Sequence, residues 1–330
     1  MTIYDIAKKA GVSASTVSRV VNNKPGIKPE TRRKIEELLK ECSYTPNEAA
    51  RGLVNRSSKM VGILITDIRY AHYMDIAYYV EQELSRAGYT CLIVNTGIPD
   101  ESKVNAIQRL AQRQIDGLLM VGSTFQCEAV QEALAQNLPD IPVAMANGYL
   151  PLPNVKGVLV DECNGVVECI RLMQQKNHHK IAFIIPNSTP SNLQKQQGFV
   201  QAVREGRAPE CAEWIYRSVT SLEEGYRVTN RILQDHPDVE GLMFCEDEAA
   251  VSGVRALLDA GISVPNQVSV IGIDNTRYCE ICYPKLTALD NMMLEMSMES
   301  SRILLESLNG NNSLPARIML FSRIIERETT

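Results

Sequence analysis

Thr2-Ile3-Tyr4-Asp5-Ile6-Ala7-Lys8-Lys9-Ala10-Gly11-Val12-Ser13-Ala14-Ser15-Thr16-Val17-Ser18-Arg19-Val20-Val21-Asn22 is the stretch from which the rest of the chain is read. Thr2 and Asp5 stand in a T-x-x-D capping pattern, in which the threonine oxygen accepts from the amide three residues on. A helix from there to about Ala10 places Ile3, Ile6, Ala7 and Ala10 on one apolar face. Gly11 follows where a helix end wants a left-handed residue. Ser13 can cap a second helix from Ala14 to about Asn22. Val17, Val20 and Val21 then face inward, and Ala14, Ser15, Ser18 and Arg19 outward. Two short helices across a tight glycine turn make a helix-turn-helix. A thin, hydroxyl-rich helix face can sink into a major groove, and the arginine fork matches guanine O6 and N7. The pattern alone leaves two readings open: a DNA-reading pair, or a plain helical hairpin with a small polar surface.

Outward from this stretch, Pro29 marks the start of a third helix with an apolar stripe of Ile35, Leu38, Leu39 and Cys42. Arg32, Arg33 and Lys34 on it are read as phosphate contacts in preference to a solvated face. Charge supports the head as the part that meets phosphate. Residues 1–59 hold 12 basic and 6 acidic side chains, a balance of +6, against −11 over the remainder and −5 overall. A basic end on an acidic body is expected when only that end touches nucleic acid.

The 330 residues exceed one compact core and imply two or three domains. No apolar run approaches the ~18 residues of a membrane span. The N-terminus lacks the basic start and apolar stretch of a signal peptide. Nine cysteines at irregular spacing suggest reduced thiols and a cytoplasmic setting. Cys279 and Cys282 form a lone CxxC without a second pair or nearby histidine, so no metal site is expected.

Tyr4-Asp5-Ile6-Ala7, Ala10-Gly11-Val12-Ser13, Thr16 to Asn22, Thr31-Arg32 and Tyr44-x-Pro46-Asn47 stand in the order and spacing of the LacI/GalR family, which the whole chain resembles. The resemblance implies that the second helix reads the major groove. It makes Ala14, Ser15 and Arg19 the base-reading residues, within a contact set of Thr2, Tyr4, Ser13, Thr16, Ser18 and Asn22. Lys28 departs from the pattern, since a serine-like cap is usual there. Asn47 to Leu53 resembles the family's hinge helix, with Asn47 as cap, Ala49, Ala50 and Leu53 as apolar edge, and Leu53 as the wedge that kinks a base step. So short a helix does not hold alone in water, so it is expected to fold only when two copies meet on DNA; Gly52 weakens it by roughly 1 kcal/mol. The resemblance divides the chain into a DNA-binding domain at 1–46, a hinge and linker at 47–59, and an effector and dimerisation domain at 60–330. That last domain has two lobes, about 60–160 with 291–320 and about 161–290 with 321–330.

From Lys59 on, the apolar runs Val61–Ile65, Cys91–Val94, Gly117–Val121, Val143–Ala146, Val158–Val160, Ile181–Ile185, Gly241–Cys245 and Val268–Ile273 alternate with helical stretches such as Met74–Ala87, Glu101–Arg113 and Ala249–Ala260. Alternation of this kind implies α/β architecture with parallel sheets, here two doubly wound halves behind an all-α head. Ligands on such sheets bind beyond the strands' carboxyl ends. Asp161, Asp247 and Asn187 there are read as helix caps, and Asp67 and Asp274 as ligand groups. Ser123, Asn147 and Glu246 also follow such runs, and the resemblance, to a periplasmic-binding-type effector domain, adds Tyr70, His72, Tyr73, Lys195 and Asn291. Lys195 replaces the usual arginine, a point charge for a fork. Glu246 replaces an amide and Asn291 a glutamine, so an effector other than a plain neutral hexose is expected.

The chain ends like the family's final strand with no leucine heptads beyond, which favours a homodimer. Met292, Met293, Met296 and Met298 are read as core or dimer packing. Neither G-x-G-x-x-G after a strand, nor a phosphate-binding G-x-x-x-x-G-K-[ST], nor a nucleophile elbow is present. The expectation is therefore a transcriptional regulator of repressor type and no enzyme, without cofactor. Its partners are a pseudo-palindromic double-stranded operator and a small sugar-like effector, and no membrane is involved. A free-standing sugar-binding protein is the weaker alternative, since the head would serve no purpose in it.

Overall fold

The computed structural model describes residues 2–21, 23–42, 57–218, 221–311 and 313–330. Contacts divide the chain into two compact units, residues 1–58 and 59–330.

In the first unit, α1 (Ile3–Ala10), α2 (Ala14–Val21) and α3 (Pro29–Glu41) pack around Ile6, Ala7, Ala10, Val17, Val20 and Ile35. Ile6, Val17 and Ile35 are fully buried, each worth about 1.5–3 kcal/mol by removal from water. The capping box forms: Asp5 N donates to Thr2 Oγ1 at 3.3 Å and Thr2 N donates back to Asp5 Oδ2 at 2.8 Å. Gly11 ends α1 at φ 72°, the left-handed conformation a side chain would resist. Lys28 supplies no side-chain cap to α3, which starts on Pro29 alone.

Two of the three cations read as phosphate contacts on α3 are committed inside the head. Arg32 donates to Asn23 Oδ1 at 2.8 Å and to Lys24 O at 2.7 Å, bracing the loop before α3. Lys34 Nζ donates to Ala10 O at 3.0 Å, a cation at the negative end of α1. Arg33 is exposed and lies 3.4 Å from Glu37.

The second unit opens with β1 (Met60–Ile65), α4 (Ala71–Arg86), β2 (Thr90–Asn95), α5 (Asp100–Gln112), β3 (Gly117–Val121), α6 (Glu128–Asn137), β4 (Val143–Ala146) and β5 (Val155–Val160). It continues through α7 (Glu162–Gln175), β6 (Ile181–Ile185), α8 (Pro190–Glu205), β7 (Ile215–Arg217), α9 (Leu222–Asp235), β8 (Gly241–Phe244), α10 (Asp247–Asp259), β9 (Ser269–Ile273), α11 (Tyr278–Ile281) and β10 (Thr287–Asp290). It closes with α12 (Met293–Leu308), β11 (Arg317–Leu320) and β12 (Arg323–Ile325).

Two six-stranded sheets result, in the orders β11-β5-β4-β3-β1-β2 and β12-β10-β9-β8-β6-β7. Each is covered by helices on both faces, as its continuous apolar strands require. The chain passes between the lobes three times, after β5, after β10 and after β11. The eight apolar runs fall on β1 to β6, β8 and β9. β7 and β11 are edge strands, short or half-exposed, and β10 is a buried inner strand of only four residues, so the apolar signal of all three is weak. β12 runs antiparallel to β10, a departure from the parallel expectation. An edge strand that only closes a lobe needs no helical crossover.

Candidate ligand cleft and DNA-facing helix

The exposed face of α2 is thinner than the sequence pattern implies. Ser15 and Arg19 are exposed, Thr16 and Ser18 are half-buried, and Ala14, read as outward, packs partly against the head core. Ser13 Oγ accepts from Thr16 N at 3.2 Å as the cap of α2 and lies 2.8 Å from Ser15 Oγ. Arg19 Nη2 donates to Pro25 O at 2.7 Å, so the fork is held against the loop that follows α2. Thr2 is engaged as the cap of α1, and Tyr4 beside it is 73 % exposed. Asn22, Asn47, Ala50 and Leu53 lie outside the described residues.

In the second unit a cleft of about 750 Å³, mouth included, opens where the strands of both sheets end. Tyr70, His72, Tyr73, Ser123 and Asn147 line it from the first lobe, and Lys195, Glu246 and Asp274 from the second. These are eight of the residues read from sequence.

Asp67 and Asn291 do not line it. Arg69 folds back over Asp67, its Nε at 2.9 Å from Oδ1 and its Nη2 at 2.6 Å from Oδ2, and its guanidinium holds that carboxyl below the usual range. A loop arginine two residues away therefore takes the oxygens that a ligand would need. Asn291 is 1 % exposed and stands behind the wall, where its Nδ2 donates to Asp274 Oδ1 at 3.0 Å. It orients the carboxylate instead of meeting the cleft.

Backbone geometry aims the polar groups. Asn147 has φ 57° and the pair Asp274–Asn275 has φ 106° and 55°. Such conformations cost about 1–3 kcal/mol each for ordinary residues and concentrate at functional turns. Here they turn the chain sharply at the strand ends. Arg327, from the C-terminal segment, donates to Asn275 Oδ1 at 2.7 Å and steadies that turn.

Glu162 is the main residue that sequence reasoning missed. It is 1 % exposed, in the first turn of α7 just after the first passage between the lobes. Its Oε1 accepts from Ser191 Oγ at 2.7 Å and from Asn147 Nδ2 at 3.2 Å, and Lys195 Nζ lies 3.3 Å away. Burial opposes the charge of Lys195, but Glu162, Asp274 and Glu246 together hold its pKa above the ordinary lysine range. The signal available in sequence was Lys195 itself: a lysine on a buried helix face requires a carboxylate partner.

Gly198 makes that pairing possible. A Cβ there would stand 2.2 Å from Cys163 O. Its absence lets α8 approach α7 closely enough for Lys195 to reach Glu162.

Further contacts join the lobes across the cleft. Ser191 N donates to Ser123 Oγ at 3.1 Å, His72 Nδ1 lies 3.6 Å from Asp274 Oδ1, and Arg277 pairs with Asp75 at 3.3 Å. Asp161 caps α7, as read from sequence. Asp247 and Asn187, read as helix caps, are not the caps of α10 and α8, since Glu246 and Thr189 stand at those positions, and both line the cleft instead. Asp247 is 2 % exposed and its Oδ2 accepts from Thr276 N at 2.6 Å and Thr276 Oγ1 at 2.9 Å. Burial, then the charge of Asp274, raises its pKa to about 8. Asn187 Oδ1 accepts from Asn192 Nδ2 at 2.7 Å and Thr189 N at 3.2 Å, so it holds the start of α8 whose cap is Thr189.

Among the described residues no cluster has the make-up of a metal site, and no helix is long and apolar enough to cross a membrane. Cys279 and Cys282 are both buried and unbridged.

Residues 2–47 match the model of bacterial regulatory proteins, lacI family, and residues 170–330 that of a periplasmic binding protein-like domain. The HTH-type transcriptional regulator DegA of Bacillus subtilis is 31% identical, over 100% of this chain and 98% of its own. An HTH-type transcriptional regulator of Lachnoclostridium phytofermentans is 29% identical, over 100% and 99%. Among solved structures, a lac repressor dimer bound to operator and the anti-inducer ONPF superposes with a TM-score of 0.88 at 21% identity, over 100% of this chain and 98% of that one. At that identity the likeness speaks for the fold.

Proposed function

Since the chain belongs to the lacI family of bacterial regulatory proteins, and so to the DNA-binding transcriptional regulators, not the enzymes, we propose that it is a repressor whose operator affinity is set by a small, polar, sugar-like ligand in the cleft of its second unit. The observation that carries this reading is Glu162 Oε1, which gathers a donor from the first lobe, Asn147, and donors from the second, Ser191 and Lys195. A ligand lodged among those groups interacts differently with closed and open lobes. By linkage it must then alter DNA affinity by the same factor that DNA alters its own.

On the DNA side, α2 enters the major groove with Ser15 and Arg19 nearest the bases. Leu53 serves as minor-groove wedge from the 47–59 hinge, and Thr2, Tyr4, Ser13 and Thr16 bear on the backbone. A pseudo-palindromic operator follows from two heads on one homodimer in the cytoplasm. Exposed apolar side chains suit a second copy: Tyr78 and Ile93 on the first lobe, and Leu258, Ile281 and Tyr283 on the second, the last 85 % exposed.

The test is operator binding by fluorescence anisotropy while sugars and their derivatives are titrated, beside thermal shift of the same samples. A ligand that shifts melting of wild type but not of Asp274→Ala, and that moves operator affinity, supports the reading. A ligand that stabilises both proteins equally would place its site elsewhere.

A further inference from the structure

The loop between α2 and α3 closes against Arg19. Asn23 N donates to Val20 O at 3.0 Å and Lys24 N to Arg19 O at 2.8 Å, so the chain turns back over the end of α2. Asn23 makes that turn at φ 50° and Gly26 the next at φ 93°, conformations that asparagine and glycine accept most readily. Ile27 then packs against the head core. The turn presents Pro25 O to the guanidinium, and Arg19 Nη2 donates to it at 2.7 Å. Gly26 leaves room for this, since a Cβ there would stand 3.3 Å from Arg19 Nη2.

Arg32, near the start of α3, fastens the same loop from its other side. Its side chain is 24 % exposed. Nη1 donates to Asn23 Oδ1 at 2.8 Å and Nη2 to Lys24 O at 2.7 Å, on the two residues immediately before Pro25. The planar fork thus holds a side-chain acceptor and a main-chain acceptor at once, in a fixed geometry that a single ammonium does not impose. Arg32, the loop and Arg19 form one chain of contacts, with one arginine at its root and the other at its tip.

Such a chain matters for base reading because a bidentate contact is selective only while its fork is aimed. A fork confined to a narrow range of directions satisfies both acceptors of a guanine and little else, whereas a loose one turns to whatever acceptor lies near it. The loop forms a wall along one side of Arg19, and Arg32 keeps that wall in place. Resting on the reading that α2 enters the major groove, we propose that Arg32 is a positioning residue for base recognition. Through the loop of residues 23–27 it confines Arg19, and so sets the preference at the base pair that Arg19 reads, without meeting DNA itself.

The experiment is fluorescence anisotropy of the full chain with a duplex selected by the wild-type protein from a random library, all its single-base variants, and a salt series. Arg19→Ala first identifies the base pair whose preference depends on that side chain; an equal loss on every sequence overturns the groove reading itself. At that base pair Arg32→Met should reduce discrimination by about three- to tenfold, out of the roughly tenfold or more that a bidentate contact supplies. Preferences at other positions and the salt dependence should stay as in wild type. In the Arg19→Ala background, Arg32→Met should change discrimination no further, because the two residues act as one. A loss shared by all sequences, with a salt slope lower by about one, would make Arg32 a phosphate contact and overturn its positioning role while leaving the groove reading standing. Unchanged preferences would overturn it equally. Melting profiles show whether each variant folds. If Arg32→Met does not, Asn23→Gly carries the same test, since it removes the oxygen that Arg32 grips and accepts φ 50°.

Discussion

Asn147 Nδ2 donates to Glu162 Oε1 across 3.2 Å, and the two residues belong to different lobes. The same oxygen receives Ser191 and faces Lys195. One buried carboxylate thus reports whether the lobes are together, and it follows directly on the passage between them.

Removing that charge alone leaves Lys195 buried without its partner. Glu162→Ala should cost about 3–5 kcal/mol, read as a fall in urea midpoint. Combining it with Lys195→Met should recover much of the loss, because no unmatched charge is left behind. A double variant as unstable as the sum of the singles would show that the pair is not coupled.

Gly198 can be tested by one methyl group. A Cβ 2.2 Å from Cys163 O cannot be accommodated without parting α7 and α8. Gly198→Ala is therefore expected to destabilise by about 1–3 kcal/mol and to weaken the ligand response through a displaced Lys195. An unchanged melting temperature would mean that the helices yield freely.

Asp247 carries a pH dependence of defined sign. Its folded pKa of about 8 lies above its ordinary value of 3.8, so the folded chain holds a proton that the unfolded chain has released. Stability from this group is complete below about 3.8, declines as pH rises, and is lost once pH passes about 8. Asp247→Asn, which keeps an oxygen for Thr276 and has no charge to bury, should flatten that decline. Urea melts at intervals from pH 5 to 9 compare the two slopes; parallel slopes would rule the group out. The neighbouring charge of Asp274 contributes to the shift.

At the head, the groove reading proposed for α2 requires Arg19 to exchange its bond to Pro25 O for a base edge. Arg19→Ala is expected to weaken specific binding by about 1–3 kcal/mol and to relax preference at one base pair per half-site. Competition among single-base operator variants measures both. An equal loss on every sequence would reassign Arg19 to phosphate.

What was legible in the sequence was local. Thr2 and Asp5, three residues apart, can meet only through the first turn of a helix, and Gly11 accepts a left-handed turn because it has no Cβ. Apolar runs of strand length could be read along the chain because burial on both faces of a parallel sheet demands them. Strand ends followed, and with them most of the cleft wall, since a parallel sheet directs its carboxyl ends to one side. Edge strands such as β7 and β11 escaped because half their side chains face water.

Only the tertiary structure decided which polar groups at those strand ends are available. Asp67 and Asp274 read alike in sequence, but Arg69 occupies the first while Asn291 merely props the second. Asp247 read as a cap, yet its depth in the second lobe keeps it protonated. Glu162 and Lys195, distant along the chain, become partners only where Gly198 lets two helices close upon each other. The physical reason is one of range. Capping and periodicity act within a few residues and leave their mark in the sequence, whereas the state of a buried charge depends on whatever the fold brings within a few ångströms of it.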